Sequence, residues 1–217
     1  MHATTPAGSS AIVIGATGLV GRECVRQLAA HPGFGRVTAL ARRALPSELV
    51  TAKVTTELVD FDRLAARPEG FHATHLFCAL GTTIKQAGSQ DRFRQVDFEY
   101  PLRAAGLAHA AGVHHVLLVS SVDANPASRS FYLRVKGELE AAIEGLGFRS
   151  VTIVRPSLLL GDRNEFRLAE EVAKRLSWAF PRKYRPVHAS DVAAALVAAA
   201  VADRPGVHLI ENPAIAR

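Results

Sequence analysis

A short apolar run that leads directly into a glycine-rich turn constrains the fold more than any other feature. Residues 11–14 read AIVI, Gly15, Gly18 and Gly21 follow at intervals of three, and a helical pattern begins at Leu19. A run that is apolar at consecutive positions is typical of a strand buried on both faces of a parallel sheet. Glycines at such a strand–helix turn let the backbone approach a pyrophosphate, which the helix N-terminus attracts. The pattern predicts nucleotide binding, with a purely structural turn as the alternative.

Strand-like and helical patterns alternate along the rest of the chain. Further strands are predicted at 37–41, 54–59, 75–79, 116–119, 151–154 and 207–210, and helices at 19–30, 96–111, 131–146, 166–178 and 192–201. This alternation predicts an α/β fold with a doubly wound parallel sheet between two layers of helices. No linker divides the chain, so we expect a flexible tail at residues 1–8 and a single domain at 9–217. Substrate-side elements are expected within about 156–190.

Composition excludes several classes of protein. Of 217 residues, 48% are hydrophobic, which is too many for a disordered chain. Cys24 and Cys78 are the two cysteines, too few for a disulfide scaffold. The sequence shows no apolar run of the roughly 20 residues that a spanning helix needs, and no secretory signal. The histidines show no ligand spacing on a predicted helix, so no metal is expected. We therefore expect a cytoplasmic protein without stable membrane insertion.

The net charge of +6 is the one unusual number in the composition. It is compatible with nucleic acid, an anionic membrane surface or a small anionic ligand. Much of it lies in the basic segment 163–185, which reads as a solvated helix face, a pocket for an anionic or acyl substrate, or a partner or membrane surface. Nucleic-acid binding is not expected, because these basic residues lack interleaved aromatics and a known docking motif.

The end of the second predicted strand favours one nucleotide over another. An NAD site usually places an acidic residue there to bind the ribose 2′-hydroxyl, but this chain has Arg42 and Arg43. Arginine binds a 2′-phosphate through charge-assisted hydrogen bonds, so NADP(H) is favoured over NAD(H). For Arg43 alone, a solvated loop position is an equal alternative. After the third strand, Asp60, followed by Phe61, is placed to reach an adenine amino group or to cap the next helix.

A candidate catalytic group follows the fifth predicted strand, which ends in Ser120 and Ser121. Tyr132 and Lys136 are spaced i and i+4 on the next predicted helix, so they share one face. An ammonium beside a phenol favours the phenolate, and such a tyrosine can exchange a proton with a carbonyl or alcohol oxygen. A strand-end serine can hold the same oxygen. Ser121 is the preferred residue for this role, and Ser120 remains open because a strand end is uncertain by one residue.

Five stretches carry a resemblance to a known family: the glycine turn at 15–21, residues 78–83, the serine pair at 120–121, Tyr132–Lys136 and residues 155–157. Together, over roughly residues 10–200, they resemble the short-chain dehydrogenase/reductase superfamily. The stretches CALGTT at 78–83, VKGELE at 135–140 and RPSLLLGDR at 155–163 resemble in particular its atypical extended branch, the group of the Tat-interacting protein of 30 kDa and its bacterial relatives.

This resemblance implies an NAD(P)-binding Rossmann fold and bound NADP. It implies catalytic roles for Ser121, Tyr132 and Lys136. The cofactor-binding positions that it implies or that the motifs suggest are Gly15, Thr17, Gly18, Leu19, Val20, Arg42, Arg43, Asp60, Phe61, Leu80, Gly81, Thr82, Ser120, Tyr132, Lys136, Arg155, Pro156 and Ser157. One departure matters: many members carry Asn on the helix after strand four, where this chain has Asp97, which puts the proton relay in doubt.

Three functions are compatible with these features. The leading one is an oxidoreductase, a monomer or homodimer, that transfers hydride between NADPH and a carbonyl or alcohol substrate. An anionic substrate is one of the alternatives that the basic segment leaves open. The first rival is a non-catalytic protein that senses NADPH, favoured by the short chain beyond strand six and by Asp97. The second is an epimerase or dehydratase acting on nucleotide-sugars, which the short C-terminal part disfavours.

Overall fold

A parallel sheet organises the protein, which a computed structural model describes at residues 8–66, 68–160 and 181–215. Within these ranges, seven strands form the main sheet in the order β3-β2-β1-β4-β5-β6-β9. Its strands are β1 (Ser9–Ile14), β2 (Phe34–Ala41), β3 (Val54–Leu58), β4 (His75–Cys78), β5 (His115–Val119), β6 (Ser150–Arg155) and β9 (Gly206–Glu211). A small second sheet pairs β7 (Leu159–Leu160) with β8 (Val187–His188).

Helices follow most of these strands and cover both faces of the sheet. They are α1 (Leu19–Ala30), α2 (Ile84–Ala87), α3 (Gln90–Arg94), α4 (Tyr100–Ala110), α5 (Phe131–Glu144), α6 (Ala189–Ala202) and α7 (Asn212–Ile215). A π-helical stretch, Gln95–Glu99, joins α3 to α4. Short 3₁₀ segments lie at Ser47–Leu49, Phe61–Ala66, Pro68–Phe71 and Arg182–Tyr184, and the second of these is kinked at Arg63.

Two hydrophobic cores, one on each face, hold the layers together. On one face α1 and α6 bury side chains such as Leu28 and Leu196 against the sheet. On the other face α4 and α5 do the same, with Ala104 and Ile143 fully buried. The central strands are buried on both sides, which is why their sequences are apolar at consecutive positions. The predicted three-layer, doubly wound Rossmann architecture is confirmed.

The predicted element boundaries agree most closely with those in the structure where a helix cap or a helix-breaking residue marks them. Helix α1 has the predicted bounds, because Gly18 precedes it and Pro32 follows. The helix predicted at 96–111 begins earlier, at Gln90, where the Ser89 hydroxyl accepts a hydrogen bond from the Arg92 amide at 3.1 Å. The sequence pattern missed this start because polar residues fill the first turn.

Some predictions fall outside the described residues. These are most of the tail at 1–8, the helix at 166–178 and most of the basic segment 163–185, of which residues 181–185 are described. The prediction of a single domain at 9–217 is likewise untested. Among the described residues, no helix has both the length and the apolar character that crossing a bilayer requires.

Candidate functional site

The glycine turn between β1 and α1 is packed too tightly to accept side chains. Gly15 has a φ of +79°, and a Cβ there would lie 2.3 Å from the carbonyl oxygen of Ala79. A Cβ on Gly21 would lie 2.1 Å from the carbonyl oxygen of Gly15. Gly18, at the N-cap of α1, offers no side chain that could bond the first-turn amides, and no acidic residue lies in that turn. The amides at this helix start are therefore left for an anionic ligand.

A cavity of about 500 Å³ lies beside this turn, at the carboxyl edge of the sheet. Four arginines lie along it: Arg22 from α1, Arg42 and Arg43 after β2, and Arg92 from α3. The predicted cofactor residues Gly15, Thr17, Gly18, Leu19, Leu80, Gly81 and Thr82 line it as well. With four arginines and no acidic residue among the described residues of its lining, this cavity suits an anion.

Asp60 and Phe61, also predicted to touch the cofactor, line neither this cavity nor the one next to it. The Asp60 carboxylate accepts a hydrogen bond from the Asp62 amide at 3.0 Å, at the start of the 3₁₀ turn Phe61–Ala66. Phe61 is buried against Tyr100, with ring centroids 5.5 Å apart. The geometry fits the capping alternative for Asp60 and a packing role for Phe61.

A second cavity, of about 310 Å³, continues from the first, because both share the turn residue Gly18 and the segment after β4. It contains the predicted Tyr132 and Lys136, together with Ser120 and Asp97. Val20 and Ser157 complete the predicted residues in its lining. The structure thus brings the glycine turn and the Tyr-x-x-x-Lys face of α5 to one continuous cleft.

Lys136 forms a buried ion pair with Asp97, which is fully buried. The Lys136 ammonium lies 2.8 Å from Asp97 Oδ1, and the Thr82 amide donates to Asp97 Oδ2 at 2.8 Å. Burial opposes the charge on Lys136, but Asp97, Tyr132 and Glu140 outweigh it and raise the pKa of the ammonium above its ordinary value. Lys136 is therefore a fixed cation in the cavity at neutral pH.

The π stretch Gln95–Glu99 carries Asp97 into this position. A π-helical turn contains more residues than an α-helical turn, and such stretches are frequent at functional sites. The sequence analysis noticed Asp97 only as a departure from Asn. Its pairing with Lys136 was missed, because the pairing depends on the packing of two helices that are distant along the chain.

The two candidate serines point to different surroundings. Ser120 is buried and lines the cavity with Tyr132, and its hydroxyl has no hydrogen-bond partner among the described residues. Ser121 is outside the cavity lining, and its hydroxyl donates to the Val122 carbonyl at 3.3 Å. The geometry therefore favours Ser120, the alternative, over the preferred Ser121.

The loop after β6 is held by polar contacts that the sequence did not reveal. Arg155, predicted to touch the cofactor, instead pairs with Glu140 of α5 and with Glu211 of β9. Neither Arg155 nor Pro156 lines the cavities, whereas Ser157 does. Buried Asn212 fixes this loop, since its side-chain oxygen accepts from the Ser157 amide at 2.8 Å. Arg155 therefore positions the loop without facing the cleft.

The chain is similar to a known protein family and to several known proteins. A family model described as NAD(P)H-binding matches residues 15–203. The protein HTATIP2 of Rattus norvegicus is 36% identical over 212 residues, which are 95% of this chain and 87% of that protein. The mitochondrial protein FMP52-1 of Scheffersomyces stipitis is 40% identical over 157 residues, 71% of this chain and 69% of its own.

A solved structure shares the fold. MoeE5 in complex with UDP-glucose and NAD superposes with a TM-score of 0.73 at 19% identity, over 93% of this chain and 76% of that one. At this identity the match establishes the fold alone.

The Lys136–Asp97 pair makes a first prediction about stability. Asp97→Ala should lower the free energy of unfolding by about 3–5 kcal/mol, because it leaves a buried ammonium without its counter-charge. Adding Lys136→Met should restore much of that loss, since no buried charge then remains. Urea titrations of the two single variants and the double variant measure the coupling.

The matched control is Glu23→Ala, which removes an ion pair with Arg26 on the exposed side of α1. That loss should stay within about 1 kcal/mol. If Asp97→Ala cost no more than this control, Lys136 and Asp97 would not form a buried pair.

Proposed function

Because the chain belongs to the NAD(P)H-binding family, within the atypical branch of the short-chain dehydrogenase/reductase superfamily, we propose that it is an NADP(H)-dependent oxidoreductase. Its substrate is a small molecule that carries a carbonyl or alcohol group. One observation carries the proposal: Tyr132, Lys136 and Ser120 line a cavity that is continuous with the glycine turn. An acid–base group thus lies beside the place where a nicotinamide would end.

The residues present fit a dinucleotide. The uncapped start of α1 suits a pyrophosphate, and the arginine-lined cavity next to it suits a phosphorylated ribose. When bound, the nicotinamide supplies or accepts the hydride.

In the direction of reduction, Tyr132 donates its phenolic proton to the substrate carbonyl oxygen as that oxygen gains negative charge. The fixed charge of Lys136, one turn further along α5, stabilises the resulting phenolate. Ser120 has a hydroxyl free to donate to the same oxygen, which fixes its position and shares its charge. In the direction of oxidation, the same three groups act in reverse.

Asp97 and Glu140 support this arrangement without entering the reaction. By pairing with Lys136, Asp97 favours the charged ammonium in a buried setting. The amide of Thr82 holds the other oxygen of Asp97, so the pair is anchored to the segment after β4. Lys136 is thereby held in the cavity that Tyr132 also lines.

The preference for NADP(H) rests on the arginines. Arg42 and Arg43 follow β2, at the position where a carboxylate would bind an unmodified ribose, and both line the larger cavity. A 2′-phosphate would gain charge-assisted hydrogen bonds from them, which the 2′-hydroxyl of NAD(H) cannot match. A cytoplasmic location and a monomeric or homodimeric state stay predictions.

Tyr132→Phe is the test of the proposed chemistry. Carbonyl reduction, followed as NADPH oxidation over a panel of aldehydes and ketones, should fall by about 10²–10⁴-fold because the proton donor is lost. NADPH affinity, measured by fluorescence, should stay within a factor of two. Tyr184→Phe is the control, because that exposed tyrosine donates its hydroxyl to Asp123 at 2.9 Å and lines neither cavity.

Two outcomes would contradict the enzyme proposal. One is equal activity of Tyr132→Phe and the wild-type protein on an accepted substrate. The other is a wild-type protein that binds NADPH yet turns over no carbonyl compound, which favours the NADPH-sensing alternative. Turnover of UDP-glucose alone would favour the nucleotide-sugar alternative.

The paired variants Ser120→Ala and Ser121→Ala decide between the two serines. We expect kcat/KM to fall by about 10–100-fold in Ser120→Ala, as for the loss of a hydrogen bond to a charged transition state. Ser121→Ala should remain near the wild-type value, because its hydroxyl bonds the backbone. The reverse order would assign the role to Ser121.

Arg42→Ala tests the cofactor preference. Loss of a charge-assisted contact to the 2′-phosphate should weaken NADPH binding by about 10–100-fold and leave NADH binding almost unchanged. Arg36→Ala is the control, since that exposed side chain on β2 bonds the His72 carbonyl. An equal loss for both cofactors would show that Arg42 does not read the 2′-phosphate.

A further inference from the structure

A histidine cluster lies at the amino-terminal edge of the sheet, opposite the nucleotide cleft. His75 begins β4, His114 directly precedes β5, and Asp203 follows the last residue of α6. The three are 39 and 89 residues apart in sequence, so no motif connects them. The folding of β4, β5 and α6 against one another brings them together.

The ligand atoms of these three residues are close enough to share one ion. One nitrogen from each histidine and one Asp203 carboxylate oxygen lie within 4.8 Å of one another. His114 Nε2 is 3.3 Å from Asp203 Oδ2, and His75 Nε2 is 4.0 Å from Asp203 Oδ1. Ligands of a tetrahedral Zn²⁺ at its usual bond lengths lie roughly 3.3 Å apart. Small side-chain shifts would therefore complete the geometry.

The hydrogen bonds around His75 leave its Nε2 atom in an unfavourable setting. The Thr74 hydroxyl has one proton and two neighbours that could take it: the Ser10 carbonyl at 2.6 Å and His75 Nδ1 at 2.7 Å. If Ser10 accepts the proton, Nδ1 must donate, and the Nε2 lone pair then faces the Ala200 carbonyl oxygen at 3.2 Å. If Nδ1 accepts it, the two oxygens 2.6 Å apart have no proton between them.

A cation bound to Nε2 removes this conflict. With a cation there, Nδ1–H donates to Thr74, the Thr74 hydroxyl donates to Ser10, and the Ala200 carbonyl faces a positive charge. A metal ion at Nε2 would also face Asp203 Oδ1, which lies 4.0 Å from the same nitrogen, and imidazole nitrogens are common metal ligands.

The surroundings of the cluster also favour a cation. Ala200 belongs to the last turn of α6, where the helix dipole is negative. His115 Nδ1 lies 3.1 Å from Asp203 Oδ1 while its Nε2 lies 3.0 Å from the Thr152 hydroxyl, which holds the carboxylate in place. The side chain of His114 is 34% exposed, so the cluster is open to solvent on that side.

We infer that His75, His114 and Asp203 bind a divalent transition-metal ion, with the Ala200 carbonyl as an available fourth ligand. Two imidazoles with oxygen donors suit a borderline ion such as Zn²⁺ and disfavour Mg²⁺ or Ca²⁺.

The site departs from the sequence-based expectation that no metal is bound. The site lies at the amino-terminal edge of the sheet, whereas the cleft lies at the carboxyl edge, so the bound ion would have a structural role. It would join β4, β5 and the end of α6. Arg149, which donates to Asp203 at 2.9 Å, is the cation that the ion must compete with.

The test is a Zn²⁺ titration of the full chain without a histidine tag, after treatment with EDTA. The wild-type protein should bind one equivalent by calorimetry, and its thermal midpoint should rise with Zn²⁺ and fall again with EDTA. Co²⁺ should give visible absorption bands of a four- or five-coordinate site. His114→Ala and Asp203→Asn should each weaken binding by at least about tenfold.

His72→Ala is the matched control, because it removes an exposed histidine near the same edge. Its Zn²⁺ affinity should equal that of the wild-type protein. Asn tolerates the positive φ of position 203, and His114 is half-exposed, so two variants that keep the fold test the site independently. Equal Zn²⁺ binding by wild-type and His114→Ala proteins, or no binding at all, would overturn the inference. Neither result depends on turnover of NADPH.

Discussion

The cleft depends on a pair of opposite charges that are both taken out of water. The Lys136 ammonium lies 2.8 Å from Asp97 Oδ1, and the other oxygen of Asp97 accepts a hydrogen bond from the Thr82 amide, so each buried charge has a partner. Their pairing requires that α5, the π stretch and the segment after β4 meet at one point. The ion pair therefore fixes the position of three separate parts of the chain, and the face that carries Tyr132 follows from it.

Further ion pairs connect helix α5 to the far side of the cleft. Glu140, one turn after Lys136 on α5, binds Arg155, and Arg155 also reaches Glu211 on the edge strand β9. The loop that carries Ser157 into the cavity is thus tied to the same helix that presents Tyr132. Because the strand order reverses between β1 and β4, the open crevice of the sheet lies where these groups converge.

The sequence predicted most of what depends on local pattern. The glycine spacing, the buried strands and the i, i+4 relation of Tyr132 and Lys136 are local properties, and the structure places them as expected. Residues whose surroundings come from distant parts of the chain were less predictable. The pairing of Arg155 with Glu140, the preference for Ser120 at the cavity and the meeting of His75 with Asp203 arise only when helices pack on the sheet. A one-residue ambiguity at a strand end is enough to exchange the two serines.

The π stretch between α3 and α4 links the two halves of the cleft, since Arg92 lies in one cavity and Asp97 in the other. A regular α-helix over the same span would need one residue fewer and would turn a different side chain towards Lys136. In the evolution of such chains, a single deletion between positions 95 and 99 would therefore act like a substitution of Asp97. The pairing with Lys136 therefore requires both the number of residues in this segment and an aspartate at position 97.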